Sequence, residues 1–213
     1  MIDPAILSAY IASKVCHDLV SPLSSVVSAI DLLDDPNDSE MREQADLLLR
    51  QGARDASDRL QFLRYAFGSM GLNEGAADIH EAKSVTEKFV ATHKPSVEWD
   101  IDTDHLSYSH ARLMMNLLLM GMESAPRGGV ITIRFRNDAA GLVIAVIARG
   151  VKARAKPDTK ATLAGNEPDE GWTPRNVQPL FSKMIAEGLG GRISIAEGDE
   201  IVTITAEGIR ATG

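Results

Sequence analysis

The sequence contains one cysteine, Cys16, and aromatic residues make up only 5% of the chain. A single cysteine excludes an internal disulfide framework and any zinc site built from several cysteines. No apolar run reaches the roughly 18 residues that a membrane-spanning helix needs. The opening residues, Met1 to Pro4, lack the basic region and the cleavage site of a secretory signal. These absences predict a cytoplasmic protein that is not embedded in a membrane.

Basic residues are also fewer than acidic ones. The chain has 22 lysine and arginine residues and 30 acidic residues, which gives a net charge of −8 at pH 7. The hydrophobic content of 44% is ordinary for a soluble globular protein. A chain of this charge is repelled by a phosphate backbone, so general nucleic-acid binding is not expected. Recognition of an acidic partner would require a local basic patch.

The first third of the chain has the pattern of two long helices. Apolar residues at helical spacing predict one helix from Pro4 to Leu33 and another from Glu40 to Phe67, joined by a short polar turn. A short turn makes the two helices antiparallel neighbours. Two helices alone cannot cover both apolar stripes, so we predict that two copies of the chain form a dimeric four-helix bundle. The alternative is that the stripes pack on the rest of the same chain.

A glycine-rich segment, residues 68–75, ends the helical part and indicates a joint. We therefore predict a helical domain over residues 1–70 and a second domain over residues 76–213. The second domain has the pattern of helices at Ile79–Thr92, Ser109–Glu123 and Pro174–Glu187, and of strands at Val97–Ile101, Val130–Arg136, Leu142–Ala148, Ile193–Ala196 and Ile201–Ala206. A polar loop is predicted over residues 150–171. Helices layered on one mainly antiparallel sheet give an α+β fold.

His17 is the strongest candidate for a functional residue. It begins the run His-Asp-Leu-Val-Ser-Pro-Leu inside the first helix, and Pro22 stands five positions after it. Proline within a helix frees the carbonyl four residues back, here that of Asp18, and favours a kink there. At about 100° per residue, His17 lies roughly opposite the middle of the apolar stripe of its helix. The angle predicts an accessible imidazole, and an ordinary solvent-facing histidine is the alternative.

The order of these features resembles the two-domain core of sensor histidine kinases. The His17 run is similar to the kinase H-box, with its histidine, acid and proline. The run beginning at Asn116, followed by residues 124–133, is similar to the N-box helix and the strand after it. Residues 190–195 are similar to the segment after the second glycine-rich nucleotide motif. The resemblance implies a helical hairpin followed by a histidine-kinase-like (Bergerat-type) α/β sandwich.

The departures from kinases lie at nucleotide-contacting positions. A second N-box asparagine that holds magnesium in kinases is replaced by Met120, whose thioether is a poor ligand for a hard cation. The aspartate that reads adenine is absent near Arg149. The glycines that let backbone amides approach phosphate fall on Asn176 and Gln178, and Pro179 follows. We therefore expect no ATP, no other cofactor and no metal ion bound by this chain.

A kinase-like chain that keeps the histidine and lacks the ATP contacts is similar to the ChpT-type dimeric histidine phosphotransferases. This resemblance implies that His17 accepts phosphate from a receiver aspartate of a hybrid histidine kinase and passes it to the receiver of a response regulator. Magnesium would then be held by the partner receiver. Asp18 would support His17 by accepting a hydrogen bond from its other ring nitrogen, or would be a solvated helix acid.

Other functions remain as alternatives. The chain could bind receivers without transferring phosphate, act as a receiver phosphatase, or be an autokinase that binds ATP through altered contacts.

Two groups of residues are candidates for partner binding. The first lies one turn either side of His17, and the second alternates along an extended stretch, so that its basic side chains point one way. The first group is Ser13, Lys14, Ser21 and Ser24, and the second is Lys152, Arg154 and Lys156. Positive charge in an acidic chain would steer an acidic receiver. The alternatives are a surface lysine at position 14 and a solvated loop at 152–156.

The other reactive or aromatic residues are assigned ordinary roles. We expect Cys16 to be buried and inert, and Trp99 and Trp172 to be packing residues. Without metal-ligand spacing, the remaining histidines are expected at the surface or in helix caps, namely His80, His93, His105 and His110.

Overall fold

The protein is described by a computed structural model that covers residues 2–34, 39–69, 75–102 and 106–210. Most of the predicted polar turn at 34–39, most of the glycine-rich segment and His105 lie outside these residues. Helix α1 spans Pro4–Leu33. It begins there because the Asp3 carboxylate accepts hydrogen bonds from the first free N–H groups, those of Ala5 and Ile6, and proline occupies the first turn.

Helix α2 spans Ser39–Ala66 and packs along α1. Helix α1 continues through Pro22, which is buried. Gly52 of α2 lies opposite this point, where an added Cβ would approach Val26 to 3.0 Å and the Pro22 carbonyl oxygen to 3.4 Å. The small residue therefore lets the two helices come close one turn after His17.

The rest of the described chain is a mixed sheet with helices. The helices are α3 (Ile79–Val90), α4 (Tyr108–Ser124), α5 (Pro157–Leu163) and α6 (Gln178–Gly188). The strands are β1 (Ala76–Ala77), β2 (Pro95–Ile101), β3 (Leu106–Ser107), β4 (Gly129–Asp138), β5 (Gly141–Arg149), β6 (Arg192–Gly198) and β7 (Ile201–Ile209). The five-stranded sheet has the order β2-β4-β5-β7-β6, and only its β2–β4 pair is parallel. The predicted α+β class and mainly antiparallel sheet are confirmed.

Some element predictions were wrong. The stretch predicted as a loop over 150–171 contains α5, which Pro157 begins and Gly165, at φ +92°, follows. Helix α6 begins at Gln178, because residues 174–176 form a turn. The two-residue strands β1 and β3, which pair with each other, are too short to show an alternating pattern.

Within the described ranges, the residues that the hairpin contributes to the hydrophobic core come from α2. Phe62 near the end of α2 is fully buried and stacks on Phe89 of α3, with ring centroids 3.9 Å apart. Helix α4 is buried on nearly all sides between α2 and the sheet. Helix α1 instead borders open clefts that separate it from the sheet domain. The position of α1 relative to the second domain therefore depends on how the end of α2 is held.

Helix α1 corrects the expectation that no apolar segment is long enough to cross a membrane. By length and composition alone it qualifies, with a window of mean hydropathy 1.2, although only 11% of that window is buried. Its apolar residues cover more than one face. Val26, for example, packs toward α2 at Gly52, whereas Leu23 is 51% exposed. A helix that packs on two sides would show such a composition.

Candidate phosphotransfer site

His17 projects from the middle of α1, and its side chain is 80% exposed. The predicted accessibility is confirmed. Its Nδ1 atom lies 3.4 Å from Oδ1 of Asp18, at the outer limit of a hydrogen bond. A proton on Nδ1 would point toward this carboxylate and leave the lone pair on Nε2 free. The arrangement can therefore present Nε2 as a nucleophile.

Lys14 is held by Asp18 rather than extending freely into solvent. Its Nζ lies 3.4 Å from Oδ2 of Asp18, one helical turn away. The two side chains are only 14% and 28% exposed, so the pair is less screened than a surface ion pair. One Asp18 oxygen faces a cation and the other faces the imidazole, which places the three residues in one charge-linked row.

A cleft of about 760 Å³ opens between this row and the second domain. Ser13, Lys14, His17 and Asp18 form the α1 wall. The opposite wall comes from the end of α4, from α5 and from the loop before α6, and its lining side chains are Glu123, Lys156, Asp158, Thr159, Glu170, Thr173, Pro174, Arg175, Asn176 and Pro179. Charged groups of both signs thus line the cleft beside the imidazole.

The opposite wall contains residues that sequence reasoning missed. Arg175 is an exposed cation on the cleft, and Asp158 accepts a hydrogen bond from the Asn176 side chain at 3.1 Å. The same Asn176 amide donates to the Gly171 carbonyl at 3.0 Å and accepts from the Thr173 N–H at 2.8 Å. These bonds organise the loop. No local pattern signals that this loop approaches α1, because the approach depends on the tertiary fold.

Ser21 and Ser24 lie on α1 beyond His17 and outside the cleft, and both are exposed. Ser24 is two helical turns from His17 and lies within about 20° of it around the axis. Val20 and Val27 flank the same surface and are 59% and 57% exposed. The imidazole therefore borders a cleft on one side and an open, partly apolar helix face on the other.

Exposure along the basic stretch alternates as predicted, but the backbone is not extended throughout, because Lys152 lies in a turn with φ +61°. Lys152, Arg154 and Lys156 are exposed, whereas Ala153 and Ala155 between them are 7% and 3% exposed. Lys156 reaches the cleft, where its Nζ lies 3.0 Å from Glu123 Oε2. Lys152 and Arg154 do not line the His17 cleft.

The positions that were predicted to differ from kinases are used for packing and hydrogen bonding. Met120 is 1% exposed and belongs to the hydrophobic core. Gln178 is 3% exposed, and its amide donates to Asn116 and Ser182. Among residues 2–34, 39–69, 75–102 and 106–210, no group of three or more histidine, cysteine or acidic side chains is placed to hold a metal ion.

Cys16 and His110 differ in the structure from what the sequence predicted. Cys16 was predicted to be buried but is exposed, because it lies on the part of α1 that does not face α2. His110 is a cap residue as predicted, but a buried one: it forms a reciprocal capping box with Ser107, and its Nε2 lies 2.9 Å from the Arg210 carbonyl oxygen. His80 is exposed and His93 is half-buried.

Comparison with known proteins identifies the family. A family model described as the histidine phosphotransferase C-terminal domain matches residues 79–201. Protein phosphotransferase ChpT of Brucella abortus (strain 2308) is 30% identical over 201 residues, which cover 94% of this chain and 95% of that protein. The chain belongs to the histidine phosphotransferase family. A solved bacterial phosphotransferase is similar to this phosphotransferase with a TM-score of 0.86 and 29% identity, over 97% of this chain and 98% of that one.

The family match accounts for the activity of the chain. The predicted similarity to ChpT-type proteins is confirmed, and protein phosphotransfer is the activity of the family. A histidine kinase, AdeS of Acinetobacter baumannii, is similar at a TM-score of 0.47 and 13% identity, over 89% of the phosphotransferase and 95% of the kinase chain.

Proposed function

We propose that His17 is the phosphorylated residue of this phosphotransferase. In this proposal, His17 accepts phosphate from a receiver aspartate of a hybrid histidine kinase and then gives it to a receiver aspartate of a response regulator. The observation that carries the proposal is the exposed imidazole, whose Nδ1 faces Asp18 while its Nε2 is free. Phosphoryl transfer needs an in-line nucleophile and little further covalent chemistry from the protein.

Phosphoryl transfer to His17 forms one bond and breaks another. The Nε2 lone pair attacks the phosphorus of the aspartyl phosphate, an N–P bond forms, and the P–O bond to the receiver carboxylate breaks. The leaving group is the ionised receiver aspartate. The ring becomes cationic as the bond forms, and the Asp18 carboxylate stabilises this charge. Transfer to the next receiver is the reverse step with a different carboxylate as the acceptor.

Receiver docking uses both surfaces beside His17. Ser13 and Lys14 lie on the cleft side, and Ser21 and Ser24 lie on the open α1 face with the exposed Val20 and Val27. The apolar valines provide contact area, whereas the hydroxyls can donate to polar groups of the receiver. The basic residues Lys152, Arg154 and Lys156 add a positive field that steers an acidic receiver.

The working unit is a homodimer in this proposal. Large apolar side chains along the hairpin remain exposed in one protomer: Ile6, Val20, Leu23, Val27, Ile30, Met41, Leu47, Leu48 and Leu60. An apolar surface of this extent indicates a protein interface. A second hairpin would cover the Leu23 and Ile30 side of α1 and complete a four-helix bundle, while His17 stays accessible about 120° away around the helix.

The remaining elements of the proposal concern organisation and cofactors. Residues 1–70 act as the phosphotransfer and dimerisation unit, residues 76–213 act as a degenerate kinase-like unit, and the protein works in the cytoplasm. The buried Met120 and the engaged Gln178 side chain support the absence of ATP binding. Magnesium comes with the receiver, whose own acidic pocket supplies the oxygen ligands that it prefers.

A label-transfer experiment tests the phosphorylated residue. The chain is incubated with receiver domains carrying ³²P-aspartyl phosphate. We expect label on the wild type that is lost in His17→Gln and retained in His80→Gln, the matched change of an exposed histidine on α3. The label should be acid-labile, because it is held by a phosphorus–nitrogen bond.

The same experiment distinguishes the other functions. Phosphate released into solution without passing through the chain would indicate a phosphatase. Binding of receivers without label on the chain would indicate a docking module. Labelling from ATP and magnesium alone would indicate an autokinase. Label that survives His17→Gln would contradict the assignment of His17.

A further inference from the structure

A buried polar network joins the end of the hairpin to the two helices that border the cleft. Asn116 of α4 and Ser182 of α6 are each 0% exposed, and Gln178 at the start of α6 is 3% exposed. A buried polar side chain is costly unless its hydrogen bonds are made, so the geometry of such a network is strictly constrained.

The hydrogen bonds cross three helices. Nε2 of Gln178 lies 2.9 Å from the Asn116 carbonyl oxygen, 3.1 Å from Asn116 Oδ1 and 3.0 Å from Ser182 Oγ. The Ser182 hydroxyl in turn donates to the Gln178 carbonyl at 2.9 Å. Nδ2 of Asn116 donates to the Ala66 carbonyl of α2 at 2.7 Å and to the Arg112 carbonyl at 2.9 Å.

The hydrogen bond from Asn116 to the Ala66 carbonyl holds the end of α2. Ala66 is the last residue of α2, and the last four carbonyls of a helix have no partner within it. Asn116 therefore caps the end of α2 from a different helix. Because the hairpin meets the sheet domain through α2, this cap fixes the point from which α1 and His17 are placed relative to that domain.

The other end of the network controls the opposite wall. Pro179 directly follows Gln178 and lines the His17 cleft, and the loop that carries Arg175 and Asn176 ends at the same point. A shift of the Gln178 side chain would therefore move this wall. One end of the network is therefore Ala66 of α2, the helix on which the α1 wall packs. The other end is Gln178, which precedes Pro179 in the opposite wall.

We propose that Asn116 and Gln178 are positioning residues that set the width of the His17 cleft. In the resemblance to kinases, Asn116 is the N-box asparagine and Gln178 replaces a phosphate-binding glycine. Here the two side-chain amides bond to each other, and Asn116 also bonds to the hairpin. Residues at positions that contact nucleotide in kinases therefore hold the two parts of this chain in a fixed arrangement. This inference rests on the proposed docking of receivers at the cleft.

The first test measures the cleft directly. Spin labels on Ser13→Cys and Arg175→Cys, in a Cys16→Ser background diluted with unlabelled chain, report the distance between the two walls. We expect a narrow distance distribution that broadens or shifts by several ångströms when Gln178→Leu or Asn116→Leu is added. Ser124→Ala, which removes a buried hydroxyl outside the network, should leave the distribution unchanged.

The second test separates positioning from overall stability. In the unlabelled chain, Gln178→Leu should lower kcat/KM for transfer from a phosphorylated receiver about tenfold, mainly through KM. Phosphorylation of His17 by phosphoramidate, a small donor that needs no second wall, should stay within about twofold of wild type. Gln178→Met, a flexible side chain of similar size, replaces the leucine variant if that variant does not fold.

Either of two results would overturn the proposal that Asn116 and Gln178 set the width of the cleft. An unchanged distance distribution in both network variants would show that the amides do not set the cleft. Equal losses with receiver and with phosphoramidate would show a general loss of structure. If the wild type accepts phosphate from phosphoramidate but from no receiver, the proposed function fails, and the distance measurement still decides the role of the network.

Discussion

Asp18 bridges Lys14 and His17 with its two carboxylate oxygens, each at 3.4 Å. The lysine and the aspartate are one helical turn apart, and the aspartate and the histidine are adjacent in sequence, so α1 alone builds the row. The aspartate is only 28% exposed, whereas the imidazole is 80% exposed. The partly sheltered ion pair can therefore orient a ring that stays open to a partner protein.

Replacing Asp18 by asparagine tests this row. Asp18→Asn keeps the size of the side chain but removes the charge that faces Lys14 and the imidazole. We expect phosphotransfer through His17 to slow about five- to tenfold, which corresponds to about 1 kcal/mol for one long, charge-assisted contact. Single-turnover transfer from a labelled receiver measures the rate. Asp46→Asn, which breaks an exposed ion pair with Arg50 on α2, is the control and should transfer normally.

Replacing Leu23 by aspartate tests the dimer. Leu23 is 51% exposed on α1, and a carboxylate there would be buried without a partner in a four-helix bundle. We expect Leu23→Asp to be a monomer by mass measurement at micromolar concentration, where the wild type is a dimer. Val151→Asp introduces the same charge at a valine that is 56% exposed and outside the hairpin. A wild type that is itself monomeric would refute the bundle.

Reversing the charge of Arg154 tests steering by the basic stretch. Its side chain is exposed, while its backbone N–H donates to the Ser124 carbonyl at 2.9 Å, so the substitution should leave the fold intact. We expect Arg154→Glu to lower the association rate with an acidic receiver about three- to tenfold at low salt and to weaken its salt dependence. Stopped-flow association gives both quantities. Lys88→Glu, at an exposed lysine of α3, is the matched change and should have a smaller effect.

The buried His110 predicts how stability depends on pH. Burial lowers the pKa of His110, and the hydrogen bond with the Arg210 carbonyl opposes that shift only in part. Burial also lowers the pKa of His93, as does the nearby Arg59 cation. The unfolded chain therefore binds protons at these positions at higher pH than the folded chain does. Stability is fully present above the unfolded value of about 6.5 and is lost as the pH falls below it.

Denaturant midpoints between pH 7.5 and 5 measure this loss. We expect His110→Gln to reduce the pH dependence of the midpoint, and His93→Gln to reduce it further when the two are combined. An unchanged slope in the double variant would assign the dependence to other groups.

The sequence predicted best what depends on local periodicity. The long helices α1 and α2 and the exposure of His17 follow from apolar residues at helical spacing. The alternating exposure of residues 152–156 was predicted from an extended backbone, although Lys152 lies in a turn with φ +61°. Helix α5 was missed, because a seven-residue helix with few apolar side chains leaves no periodic signal. The start and stop residues Pro157 and Gly165 were the available indication.

The cleft could not be predicted, because one wall comes from residues 13–18 and the other from residues 123–179, which lie more than 100 positions further along the chain. Nothing near Arg175 indicates an approach to α1, and nothing near Gln178 indicates a bond to α4. The apolar composition of α1 shows a related limit. Sequence composition records how much of a helix is apolar, but it does not record whether lipid, α2 or another protein surface covers it.

The location of Met120 in the core limits the residues that can replace it. Its side chain is 1% exposed among apolar neighbours, so Met120→Asn would leave an unpaired amide there at a cost of about 1–3 kcal/mol. Replacing Gln178 by glycine would in addition remove the hydrogen bond that Gln178 donates to Oδ1 of Asn116. Each of these two substitutions would thus reduce the stability of the folded chain. The packing around the two side chains therefore constrains which residues these positions can accept.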